Sequence, residues 1–141
     1  MDPRLTSAFW TLRIALGLTA LLAGLDKFLN LLTNWEQYAS PLLLDLVPFS
    51  AGTAMRVAGA IEILAGVAVL AGMTRLGGYV IAAWLSLIAL SLVTTGTYFD
   101  VAVRDLVMAC GAFVLARLSE VRVESPAIAT ASVASLRTGS V

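Results

Sequence analysis

The chain has 141 residues, 60% hydrophobic and 13% charged, with a formal net charge of zero and a mean hydropathy of +0.93. A soluble domain carries about 25% charged residues, so this composition excludes an ordinary water-soluble globule, and the lack of any basic cluster excludes a nucleic-acid surface. With no His and only Cys110, the chain by itself offers no His-ligated haem, no usual zinc or copper site and no CxxC redox pair.

The first predicted helix covers residues 5–32 and is apolar except for Arg13, Asp26 and Lys27. At about 100° per residue, Arg13, Gly17, Ala20, Gly24 and Lys27 fall on one narrow stripe. Small residues on such a stripe let helices approach closely, so Lys27 is expected to point at neighbouring helices. Asp26, about 100° further round, is expected to face a different neighbour or the aqueous rim. Arg13 interrupts the apolar run and no small-x-small cleavage site follows it, so the segment reads as a retained anchor.

The loop that follows carries Trp35, Glu36 and Tyr38, then Ser40-Pro41, a leucine run, Asp45 and Pro48. Pro41 suits the first turn of a helix capped by Ser40, and Pro48 would end it. The expectation is a short amphipathic helix lying at the membrane surface, either roofing the charged layer described below or serving as an ordinary interfacial connector.

Residues 51–73 form the second predicted long helix, with Gly52, Arg56, Gly59, Glu62 and Gly66 spread over about 120° of its surface. The third, 76–97, has no charged residue and is long enough to cross a hydrocarbon core. It has a small-residue face of Gly78, Ala82, Ser86 and Ala89. Trp84, near its middle, has an indole N–H that needs a partner, in the core or against a ligand ring. The fourth, 101–118, carries Arg104, Asp105 and Arg117; Arg104, Met108, Gly111 and Leu115 share a stripe, with Asp105 and Ala112 beside it. Cys110 lies in an apolar run and is expected to be a buried structural residue. The tail, 119–141, is rich in Ser, Ala and Thr and contains Pro126; in isolation its composition predicts disorder, and a partner subunit is the natural group to hold it.

These elements predict an all-α integral membrane four-helix bundle over residues 1–118, followed by a cytoplasmic tail. None of the segments alternates with period two, which argues against a barrel. Arg4, Arg75, Arg122 and Arg137 lie on one side, and the opposite loops hold Glu36, Asp45 and Asp100 without Lys or Arg, so both termini are expected inside. Trp35 and Tyr38 on one side and Trp10 on the other suit interfacial belts. That topology puts Asp26, Lys27, Arg56, Arg104 and Asp105 in the outer half of the bilayer, with Glu62 nearer the midplane. A charge at a membrane-helix centre costs about 2.5–3.5 kcal/mol, so three acids and three bases at similar depth are expected to pair. Such a layer either pins the helices in register or forms part of a ligand site for a quinone head group or small anion, with Trp84 and Trp35 as aromatic contacts and Glu62 exchanging protons.

The stretches Arg13-Ile-Ala-Leu-Gly17, Ala23-Gly-Leu-Asp-Lys27, Gly59-Ala-Ile-Glu62 with Gly66 and Gly72, and the Arg104-Asp105 pair resemble the DoxX family of small bacterial four-helix membrane proteins. The resemblance covers roughly residues 9–118 and leaves out the first outer loop and the tail. It implies a multi-pass protein of the bacterial cytoplasmic membrane, associated with membrane redox systems such as a thiosulfate:quinone oxidoreductase. The expected role is then a non-catalytic subunit of a quinone-linked respiratory complex, with electrons supplied by another subunit. Two alternatives stand beside it: an anchoring or assembly subunit docking larger proteins through the tail and helix faces, and a small carrier that would have to oligomerise to form a path.

Overall fold

The computed structural model describes the backbone of residues 1–138 and the side chains of residues 1–123. The chain is all-helical, with no strand among the described residues. Its elements are α1 (Pro3–Leu29), a 3₁₀ turn (Trp35–Tyr38), α2 (Pro41–Leu46), α3 (Ala51–Ala71), α4 (Thr74–Thr95) and α5 (Phe99–Thr138). Three of them, α1, α3 and α4, are long and apolar enough to cross a membrane. The apolar stretch of α5 carries Arg104, Asp105 and Arg117, which keeps it apart from those three.

Each boundary has a local cause. The Asp2 side chain accepts from the backbone N–H of Arg4 and Pro3 opens α1. That helix stops at Leu29 rather than running to 32, because Asn30 takes the left-handed conformation (φ 50°) and the Asp26 carboxylate collects the N–H groups of Leu31 and Leu32. Ser40 caps α2 by accepting from the N–H of Leu43, as Ser40-Pro41 predicted. Ser50 caps α3 in the same way. Gly72 (φ 111°) ends α3 and Gly96 (φ 73°) ends α4, both in a region that favours glycine. The 3₁₀ turn at Trp35–Tyr38 has no counterpart in the sequence expectations.

The long helices touch in the cyclic order α1, α3, α4, α5 and back to α1. On the α1–α3 seam, a Cβ at Gly24 would stand 2.7 Å from the carbonyl oxygen of Gly59, and one at Gly66 would stand 2.7 Å from the backbone nitrogen of Leu21. Only hydrogen fits there, so the small-residue stripe of α1 does what its spacing predicted. Gly77 and Gly78 bring α4 against Val69 of α3 and against Ala112 and Ala116 of α5. One apolar cluster joins all four helices through Phe9, Leu16, Ala65, Val69, Ile81, Ala112 and Leu115.

Two clusters brace the end of the molecule that holds the α3–α4 connection. Arg13 donates from Nε to the carbonyl of Val69 (2.9 Å), which it shares with the Gly72 N–H and the Thr74 hydroxyl, and from Nη2 to that of Leu70 (2.8 Å), both in the last turn of α3. Glu120 on α5 receives Arg75 at 3.1 Å, the Tyr79 hydroxyl at 2.8 Å, and Arg117 one turn away. Beyond this level α5 stays helical to Thr138, so most of the segment expected to be unstructured is helix. Its Ala- and Ser-rich stretch tolerates a helical backbone despite Pro126. Residues 139–141, and the tail side chains from 124 onward, including Arg137, lie outside the described residues.

Candidate functional site

Close packing at Gly24 and Gly59 sets the register that creates the site. It carries Lys27, near the end of α1, alongside the middle of α3, where Glu62 projects from the same face as Gly59. The two side chains meet at 2.7 Å between Nζ and Oε2, and both residues are less than a tenth exposed (7% and 6%). The second carboxylate oxygen of Glu62 accepts a long bond, 3.4 Å, from Nε1 of Trp84 at the middle of α4. Three helices thus converge on one carboxylate.

Asp26 does a different job. Its oxygens accept from the backbone N–H groups of Leu31 and Leu32 and, at 2.7 Å, from Nε1 of Trp35. That last bond swings the indole back over the bundle, so that Nζ of Lys27 sits 3.7 Å from the ring centroid. Asp26 is therefore a buried positioning residue and not a surface one, and the Lys27 ammonium lies between a carboxylate and an aromatic face.

Lys27, Glu62 and the two indoles line a cavity of about 880 Å³. Its apolar wall includes Leu16, Ala20, Ala23, Ala65, Ile81, Leu85 and Met108, and its polar groups include Lys27, Glu62, Arg104, Asp105, Ser40, Ser91 and the indoles of Trp35 and Trp84. Towards the end that holds the α3–α4 connection, α1 and α5 are in contact, with Leu12 and Leu16 near Gly111 and Arg122 over the rings of Phe9 and Trp10. Further along, Thr19, Ala20 and Ala23 of α1 and Arg104, Asp105 and Met108 of α5 line the cavity instead. Thr19 and Arg104 are exposed, so the cavity reaches the flank of the molecule between those two helices. Leu42, Leu43 and Leu46 of α2 line its roof, fixed by contact of the Ser40 and Ser91 hydroxyls (3.1 Å) and by Tyr38 edge-on to Tyr98.

The six charges singled out in the sequence do not form one layer. Lys27 and Glu62 pair, and Asp105 lies within electrostatic range of Glu62, Lys27 and Arg104. Arg56 is exposed and does not line the cavity. It is about 120° round α3 from Glu62, and it lies a turn beyond Gly59, next to where α1 gives way to the loop. Arg104 is exposed as well. The buried stripe of α5 passes through Ala102, Ala109, Ala112 and Ala116, which brings Asp105 inward and turns Arg104 to the rim. Cys110 is exposed and not buried, because Ala109 and Ala112 take the inward positions on either side of it. Sequence reasoning named Ser40 only as a helix cap and missed Ser91, whose contact with Ser40 fixes the roof. Ser91 sits five residues after Ser86 in an apolar helix and gave no separate signal.

Among the described residues, no group of three or more His, Cys, Asp or Glu side chains is arranged to hold a metal ion. No family model, no curated protein and no solved structure matches the chain.

Proposed function

We propose that the chain is a DoxX-like integral subunit of a quinone-linked oxidoreductase of the bacterial cytoplasmic membrane, and that the cavity beside Lys27 and Glu62 receives the quinone head group. In this reading α1, α3, α4 and the less apolar α5 all span the bilayer, with both termini inside. The observation that carries the reading is the cavity itself: apolar over most of its wall, lined in addition by a buried ion pair and two indoles, and open on a flank that would face lipid. A ligand with an apolar body and a few polar atoms matches such a lining, and a lipid-soluble one would arrive through the gap between α1 and α5. Electrons would come from another subunit, since the chain supplies no redox centre of its own making.

The test is gentle purification in mild detergent followed by mass spectrometry of the co-purified lipid-soluble molecules. A quinone present near one per protein, and depleted in Glu62→Gln, supports the reading. A quinone no more abundant than in a detergent-matched membrane blank rejects it.

A second reading has its own support in the extension of α5 to Thr138, well past the level at which α3 and α4 are joined. An assembly subunit would use that extension to hold soluble partners. Removing residues 119–141 would then dissolve the complex, while Glu62→Gln would leave its turnover unchanged. The carrier reading predicts flux in liposomes containing this chain alone.

A further inference from the structure

The end of the molecule that holds the α3–α4 connection carries Arg4, Arg13, Arg75, Arg117 and Arg122, and its acids with described side chains are Asp2 and Glu120. Both acids are engaged. Asp2 caps α1, and Glu120 takes Arg75, Arg117 and the Tyr79 hydroxyl. Among the described residues, no acid pairs with Arg13 or Arg122.

These two guanidiniums gather instead on one pair of rings. Phe9 and Trp10 meet edge to face with centroids 5.7 Å apart. The Arg122 Cζ lies 4.8 Å from the Phe9 centroid and 5.2 Å from that of Trp10, and the Arg13 Cζ lies 4.8 Å from Trp10. Arg13 commits Nε and Nη2 to carbonyls in the last turn of α3, while the Arg122 side chain donates to no described residue. A ring face attracts each cation but does not cancel the repulsion between two cations on the same indole. An anion placed between them would.

The surroundings say which kind of anion fits. Phe9 is buried, but Trp10 is 41% exposed, and one and two turns further along the same face of α1 come Ile14 and Leu18, both exposed. An indole beside a bare apolar helix face suits the headgroup level of a bilayer, and that face offers contact to an acyl chain. A free anion gains nothing from it. The guanidinium fork matches phosphate oxygens in pairs, and basic pockets between membrane helices hold anionic headgroups by this chemistry.

We infer that Arg122, Arg13 and Trp10 form a binding site for the phosphodiester of an anionic phospholipid. The site is separate from the cavity, which none of the three lines.

The test is native mass spectrometry of the full-length protein, delipidated in mild detergent and titrated with phosphatidylglycerol and, separately, with phosphatidylcholine of the same acyl chains. Wild type is expected to bind phosphatidylglycerol about tenfold more tightly, and Arg122→Gln to lower that ratio about fivefold, the effect of one base near an anionic headgroup. Arg122→Lys, which keeps the charge without the fork, should fall between them. Arg4→Gln removes an exposed base more than two turns from Arg13 on α1 and should change the ratio less than about twofold. Far-ultraviolet circular dichroism checks the fold of each variant. Equal affinity of wild type for the two lipids overturns the inference whatever the variants do. An unchanged ratio in Arg122→Gln, or an equal loss in Arg4→Gln, means diffuse surface charge and overturns it too. Displacement of phosphatidylglycerol by millimolar inorganic phosphate assigns the arginines to a free anion and overturns the lipid assignment.

Discussion

Replacing Glu62 with Gln keeps the shape of the side chain and removes its charge, leaving the Lys27 ammonium buried without its partner. Both residues are less than a tenth exposed and the pair is 2.7 Å long. Breaking a buried pair from one side costs about 3–5 kcal/mol. The Trp84 bond adds little: it is long at 3.4 Å, and interhelical bonds in membrane proteins average about 0.6 kcal/mol. The Trp35 face, which stays over Nζ, offsets about 2 kcal/mol of the loss when desolvated. The net expectation for Glu62→Gln is a destabilisation of about 1–3 kcal/mol. Lys27→Met should cost a similar amount, because it strands the carboxylate. The double variant Lys27→Met/Glu62→Leu should recover most of the loss, since an apolar replacement of a whole buried pair is often neutral or stabilising. Reversible unfolding in mixed micelles with increasing SDS, followed by far-ultraviolet circular dichroism of wild type, Lys27→Met, Glu62→Leu and the double variant, gives all corners of the cycle. A Glu62→Gln variant within about 0.5 kcal/mol of wild type, or a double variant as unstable as the sum of the singles, would refute a paired and buried charge.

Gly24→Ala should cost about 1–3 kcal/mol, because the new methyl meets backbone atoms of Gly59 and Ile63 that cannot move aside, whereas Gly111→Ala, with nothing nearer than 3.8 Å, should be neutral or gain up to about 1 kcal/mol of helix propensity. The same SDS titration compares them, and equal effects would sink the close-packed seam. In a protein carrying Trp10→Phe and Trp84→Phe, Asp26→Ala should release Trp35, seen as a red-shifted emission and stronger acrylamide quenching; unchanged emission would mean that Asp26 does not hold the indole. A C-terminal fusion to alkaline phosphatase should be inactive and one to a fluorescent protein bright, and the opposite pattern would reverse the proposed orientation.

The sequence carried the parts of the structure that periodicity and local chemistry determine. Ser40-Pro41 and Pro48 foretold α2, and the Arg13–Lys27 stripe foretold the buried face of α1, because a cap and a helical repeat act within a few residues. Lys27 and Glu62 were flagged, but their pairing depends on a sliding register fixed by Gly24 against Gly59, which no local pattern encodes. Arg56 and Arg104 went the other way. Each lies within about 120° of an inward position, and small differences in how a helix rotates decide whether a long side chain enters the core or reaches the rim. Asp26 was named, but its partners were not legible: two backbone amides and an indole, none of which reads as a charge complement. Cys110 was misplaced for a related reason: in a helix that is apolar on several faces, an apolar neighbourhood does not distinguish the core from the outward side.

The cavity is the feature on which the functional reading turns, and filling it tests that reading most directly. Ala23 lines it from α1, so Ala23→Phe should occupy the space and leave the Lys27–Glu62 pair in place. Purified side by side in mild detergent, wild type is expected to retain a lipid-soluble quinone near one per protein, and Ala23→Phe, folded by circular dichroism, to retain almost none. Equal amounts in both proteins, or none in either, would contradict the assignment of this cavity as a ligand site.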